Sequence, residues 1–428
     1  MPIELPPEIL GEIFEAHEFM KKHGKIDIAQ RRETMLKASA LDEAETQRLV
    51  DFEKKYESFF KELKETPEIE RLKMLRQLAG TANVYDKAQP GGGAQVFQPA
   101  FHTRFEHGEL CAELAKFAGV KLGLSDEEIL VAFAAGMVHD IGHPALSHIG
   151  DYFLENKGHG DHETRGIAAI QDKKSRVNQV LTKNGVSPEK VAEVVAEEGY
   201  LGTIQSSFDT LSYLVVDSEM IQRPIYPDNG ASLIQSLAGI DKEKNKIVVS
   251  GIEPWQELLE RRAEMMRDVY LNPVHRRQRA AMRHLMQTAI NKGHLTLDEI
   301  KEGTDKDIEM KLQSLVQYDP GAAIFGGRNE TTPHLSEYLE LWGMANGEFD
   351  PEIWEFRKFD DQQSLKKFLY EKMGPKTIEQ TVIVSPMDYT KKKLTVIKEA
   401  SKKEMILKSQ NVELDDWDTN YIAYIPKF

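Results

Sequence analysis

The sequence predicts a mainly α-helical fold with a small mixed α+β region at its C-terminal end. Three observations carry that expectation: apolar residues recur at helical spacing through most of the 428 residues, one almost continuous apolar run follows a helix-start signal, and period-two stretches cluster after Thr381. Composition is ordinary for a folded protein, with 40% hydrophobic and 29% charged residues.

At the N-terminal end, Ile9, Ile13, Phe14 and Met20 share one helical face, and Leu49, Phe52, Tyr56, Phe59 and Leu63 repeat the pattern. Residues 1–65 are therefore expected to form a helical layer, followed by a core over 66–295. The segment DKAQPGGGAQ at 86–95 interrupts the start of that core, because its proline and three glycines hold neither helix nor strand, and a mobile loop is expected there. HGELCAELAKFAG should be an amphipathic helix with Leu110, Leu114, Phe117 and Ala118 on its apolar face and His107 near its start. Ser125 and Glu128 form a capping box ahead of ILVAFAAGMV, which reads as a buried helix ending in His139-Asp140. A Gly- and Pro-rich loop at 318–333 divides a helical extension over 296–375, and TVIVS, LTVIK, EMILK and YIAYIP place short strands in 376–428.

Charge and cysteine content narrow the function classes. A formal net charge of -15 opposes polyphosphate chains on average, so nucleic acid is a disfavoured partner. The single cysteine, Cys111, excludes an internal disulfide and a cysteine-built zinc module, so any metal must be held by histidines and carboxylates. No basic start with an apolar run and no stretch of about 18 apolar residues is present, so a cytoplasmic protein without a membrane span is expected.

Seven of the 13 histidines fall within 102–162: His102, His107, His139, His143, His148, His159 and His162. The buried run delivers His139 and Asp140 side by side in apolar surroundings, where an unpaired charge is costly and a bound cation would relieve the cost. Histidine with aspartate and no thiolate suits Mn, Mg, Fe or Zn. In HDIGHPALSHIGD, His143 lies one turn beyond His139, and Asp151 follows His148 by three residues, a spacing that lets the carboxylate orient the ring of a general acid. The same Asp151 is equally suited to cap a helix N-terminus. DTLSYLVVD sets Asp209, Tyr213 and Asp217 in one helical stripe, which reads as a site or as a solvated face. A basic segment at 266–284 carries Arg267, Arg276, Arg277 and Arg279, whose guanidinium forks suit phosphate oxygens.

As an ordered set, HTRFEH at 102–107, HDIGHPALSHIGD at 139–151, His162-Glu163 and DTLSYLVVD at 209–217 resemble the HD-domain deoxynucleoside triphosphate triphosphohydrolases, the bacterial dGTPases and their animal relatives. RLKMLRQLAG at 71–80 and Val96-Phe97 resemble the strip preceding the first metal histidine in that family. The resemblance implies an HD helical core in which His107, His139, Asp140 and Asp209 hold a divalent metal ion. It also implies that His143, His148 and His162 line the phosphate side, with Asp151 supporting His148. Arg104 and Arg267 would touch phosphates, and Gln77, Leu78, Tyr213 and Asp217 would surround the deoxyribose. The implied reaction is water attack at the α-phosphorus of a dNTP, giving deoxynucleoside and triphosphate. Implied partners are a nucleotide effector in some branches and a symmetric homo-oligomer. Two alternatives fit the same residues: hydrolysis of another nucleotide or phosphoester, and a nucleotide-binding regulator with an inactive HD site.

Overall fold

The computed structural model describes residues 28–38, 40–78, 84–86, 95–97, 102–220, 228–271, 273–317, 354–373, 382–384, 393–401, 403–408 and 421–426. The expected helix around Ile9 to Met20, the glycines at 91–93 and the loop at 318–333 lie outside the described residues. The chain divides into two compact units, one from 1–77, 100–141 and 167–250, the other from 78–99, 142–166 and 251–428. As expected, helices dominate.

In the first unit, the helix Glu43–Lys64 starts at a capping box made by Asp42 and Glu45, and it buries Leu49, Phe52, Phe59 and Leu63, the face that their spacing predicts. The helix Arg104–Lys121 starts at a second capping box, Thr103 with Glu106. It departs from the amphipathic expectation: Gly108, Cys111, Ala112, Glu113, Lys116 and Val120 are buried along with the predicted face. The reason is its central place, with Glu43–Lys64, Asp126–Val138 and Gly199–Met220 all packed on it. Lys116 tolerates that burial because its ammonium reaches Glu53 and Glu113 at 2.7 and 2.8 Å and lies over the Phe60 and Phe133 rings.

The predicted capping box of Ser125 and Glu128 opens the helix Asp126–Val138, and every residue from Ile129 to Val138 is buried. This helix lies very close to Arg104–Lys121, because a Cβ on Gly136 would stand 2.7 Å from both Cα and N of Ala112. A β-hairpin, Leu237–Asp241 with Lys246–Val249, falls within the stretch expected to be a helical core. Its signal is short, the alternation of KIVV together with Asn245 in a left-handed turn, φ 54°.

In the second unit, the helix His148–Glu155 packs against Pro273–Asn291 and Leu297–Glu302 around Leu146, Ile149, Phe153, Met282, Leu285 and Ile300. Its leading turn is held from outside: Ala145 N donates to Ile300 O at 2.9 Å, and Leu146 N donates to Asp305 Oδ1 at 2.7 Å. Leu146 and Ser147 both take positive φ, 58° and 49°, a conformation that costs about 1–3 kcal/mol per residue and needs such clamps. Strands Val84–Asp86 and Gln95–Phe97 pair antiparallel at the two ends of the glycine-rich segment.

The expected helical extension over 296–375 is corrected at Trp354–Phe359, which is a strand paired antiparallel with Tyr421–Pro426. WEFRKF alternates apolar and charged residues with aromatic weight, a pattern that fits a pleated surface and not a helix. The remaining C-terminal strands stand where their alternation predicts them, at Val382–Val384, Lys393–Lys398, Lys403–Lys408 and Tyr421–Pro426.

The close approach at Gly136 gives a direct test. Gly136→Ala forces its methyl into the Ala112 backbone and should cost about 1–3 kcal/mol, read as a lower thermal midpoint, although alanine is the better helix former.

Candidate metal centre

All four residues expected to bind metal lie in the first unit, and the structure brings their side chains together. His107 sits in the first turn of Arg104–Lys121, His139 occupies the C-cap of Asp126–Val138 with Asp140 next, and Asp209 comes from the middle of Gly199–Met220. The Nε2 atoms of His107 and His139 are 3.1 Å apart, and Asp209 Oδ1 stands 3.0 Å from the first and 3.3 Å from the second. Asp140 presents Oδ1 3.6 Å from His139 Nε2 and Oδ2 3.8 Å from His107 Nε2.

The donors fit a divalent cation on two counts. Ligands about 2.0–2.2 Å from a metal lie about 3–3.5 Å from one another, which is the spacing scale of this cluster. The His139 tautomer is also correct: Nδ1 faces the Gly136 carbonyl at 2.8 Å, an acceptor only, so Nδ1 carries the proton and Nε2 offers a lone pair inward. Charge agrees with geometry. Burial lowers the His139 pKa, but the charge of Asp140 and the bond and charge of Asp209 outweigh it and push it up to about 9. For Asp209, burial works upward and is overcome by the His107 and His139 imidazoles, which hold the carboxyl far below the usual carboxylate range. The Asp140 and Asp209 carboxylates thus draw positive charge, a second proton on His139 or a divalent ion, to the point between the rings.

Arg104 is 2% exposed, and its Nη1 donates to Asp140 Oδ2 at 2.6 Å, so the arginine expected at phosphate also anchors an expected metal ligand. Tyr213 lies with its ring centroid 6.3 Å from that of His107. Asp217 is buried, and its Oδ1 meets His102 Nε2 at 2.5 Å. His102 had no role assigned from sequence, although it stands five residues before His107 in the histidine-dense stretch. Gln77 is joined to it through the backbone, its N–H donating to His102 O at 3.0 Å. Gln77 Oε1 and His102 Nδ1 are buried and accept or donate no hydrogen bond among the described residues.

The second unit holds His143, His148, Asp151 and His162, whose candidate ligand atoms lie within 4.8 Å of one another. The His143 and His162 rings stack at 3.8 Å between centroids, and the more exposed His148 ring stands edge-on to both at 4.9 and 5.2 Å. Ser147, not Asp151, is the N-cap of His148–Glu155. The Asp151 carboxylate, expected to orient His148, accepts from His162 Nδ1 at 2.7 Å and from Arg165 Nη2. Spacing along one helix pairs Asp151 with His148; the fold also brings its carboxylate to His162 and Arg165 on the next helix. Burial raises the Asp151 pKa, but His162 and Arg165 outweigh it and hold the carboxyl far below its ordinary range. The Asp151 carboxylate is thus already paired with a guanidinium and an imidazole. Arg165, three residues after His162, is a participant that sequence reasoning missed.

Leu78 and Arg267 also belong to the second unit. Arg267 is paired with the adjacent Asp268 at 2.6 and 2.9 Å, which offsets the charge expected to face phosphate.

Residues 104–218 match the HD domain family, a span that contains every residue of both clusters. The chain is 24% identical to an uncharacterized protein of Methanocaldococcus jannaschii over 323 residues, 73% of this chain and 63% of that one. It is 36% identical to a deoxynucleoside triphosphate triphosphohydrolase of Bos taurus over 94 residues, 20% of this chain and 14% of that one. The chain therefore spans less than two thirds of either relative's length. Its fold is similar to that of a phosphohydrolase from Bacteroides thetaiotaomicron, with a TM-score of 0.59 at 16% identity, covering 85% of this chain and 95% of that one. No helix among the described residues is long and apolar enough to cross a membrane.

The Asp151 network predicts a pH dependence. A carboxyl with a depressed folded pKa stabilises the fold above about pH 4, the unfolded value, and loses that contribution as pH falls toward the folded value. Wild type should therefore exceed Asp151→Asn in urea midpoint at pH 7, and the gap should narrow by pH 3.

Proposed function

We propose that residues 104–218, as an HD domain, form the metal-dependent centre of a phosphohydrolase that cleaves a dNTP into deoxynucleoside and inorganic triphosphate. The observation that carries the phosphohydrolase reading is the convergence of His107, His139, Asp140 and Asp209 through lone pairs and carboxylates that demand a cation. A divalent ion bound there supplies a polarised phosphoryl oxygen and a bound water of lowered pKa. Metal identity among Mn, Mg, Fe and Zn is left to measurement.

The rest of the chemistry falls to side chains. Arg104 contacts phosphate oxygens while Asp140 fixes its orientation. His143 and His162 receive phosphate, with Asp151 and Arg165 setting the tautomer of His162. His148, the most exposed imidazole of its cluster, gives a proton to the departing 5′-oxygen as water oxygen bonds to the α-phosphorus and the bond from phosphorus to the 5′-oxygen breaks. The dNTP assignment is supported by the resemblance to the triphosphohydrolases and by the buried, unsatisfied Gln77 Oε1 and His102 Nδ1, since a ligand hydroxyl is the kind of group that would satisfy them. A nucleotide effector and a symmetric homo-oligomer belong to the same proposal.

One observation favours a second reading. Asp217, expected at the sugar, is 1% exposed and bonded to His102, which would turn selectivity toward a different nucleotide or phosphoester.

Incubation of the purified protein with Mn or Mg and each of four dNTPs should release triphosphate; release of only mono- or diphosphate would move the assignment to the second reading. Asp140→Ala should lose both bound metal and turnover. His148→Ala should keep metal while turnover falls by about 10²–10⁴-fold, and an undiminished rate would remove His148 from the mechanism.

A further inference from the structure

We infer that Ser212 is a positioning residue of the metal centre, fixing the His107 tautomer and tying two ligands together through one hydroxyl. The inference rests on the reading of the four donors as a metal site. Ser212 is fully buried on Gly199–Met220, one turn after Asp209. Its Oγ stands 2.9 Å from the Asp209 carbonyl and 2.8 Å from His107 Nδ1. A hydroxyl has one proton, and the carbonyl can only accept it. Both contacts are hydrogen bonds only when Oγ–H donates to Asp209 O and His107 Nδ1–H donates to Oγ. That leaves His107 Nε2 with its lone pair toward His139 Nε2 and Asp209 Oδ1, the state a metal ligand requires. Gly136 O does the same for His139, so both rings are locked from behind, one by a backbone carbonyl and one by Ser212.

The role is separable from ordinary helix packing. Ser207 on the same helix is also fully buried and donates to Thr203 O at 2.7 Å in the usual way for a helical serine, without touching a ligand. Removing either oxygen deletes one buried atom, but only Ser212 holds a ligand ring.

The test measures Mn binding by calorimetry on wild type, Ser212→Ala and Ser207→Ala, each checked for an unchanged fold by circular dichroism. Wild type and Ser207→Ala should bind alike, and Ser212→Ala should bind about 10–100-fold more weakly, the usual cost of losing a partner behind a metal histidine. Equal affinity in Ser212→Ala and wild type overturns the role of Ser212 alone, whereas no Mn uptake by wild type overturns the metal reading itself. If Ser212→Ala does not fold, ring-nitrogen NMR of metal-free wild type decides: a neutral His107 protonated at Nδ1 supports the inference, and one protonated at Nε2 overturns it.

Discussion

Two imidazole nitrogens face each other at 3.1 Å with carboxylates beside them, and the helices of the first unit hold them there. Such an arrangement repels itself unless positive charge sits between the rings. The depressed carboxyl of Asp209 and the elevated imidazole of His139 are two expressions of that demand. Each supporting feature places one donor: the Thr103 cap starts the His107 helix, the apolar Asp126–Val138 helix ends at His139, and Gly136 lets those helices approach closely. The same Gly136 carbonyl then sets the His139 tautomer, so one residue serves both packing and chemistry.

The two histidine clusters differ in charge logic. Around His107 and His139 the partners are carboxylates, with Arg104 bonded to Oδ2 of Asp140. Around His143, His148 and His162 the single carboxylate of the cluster is already committed to a guanidinium and an imidazole. Nearly identical residue lists thus carry different hydrogen-bond partners. Composition alone does not separate them; the hydrogen bonds do.

Conformational strain marks the approach to His148. Left-handed Leu146 and Ser147 are unfavourable for residues with side chains, and the turn persists because Ile300 O accepts the Ala145 amide and Asp305 Oδ1 the Leu146 amide. Residues 155 and 159 positions away in sequence thereby set the start of the helix that carries His148. This long-range clamp leaves no local trace in HPALSH beyond its proline.

The sequence by itself determined the helical class, the Ser125 capping box, the buried run ending in His139-Asp140 and the C-terminal strands. These are local: periodicity, caps and side-chain chemistry act within a turn or two of helix, so they can be read one segment at a time. Burial around the whole of Arg104–Lys121, the pairing of Asp151 with His162 and Arg165, and the contacts of His102 and Ser212 were decided by tertiary structure alone. Each depends on which distant segment arrives opposite a given side chain, and a hydrogen bond between residues 105 positions apart, as between Ser212 and His107, has no counterpart in local spacing.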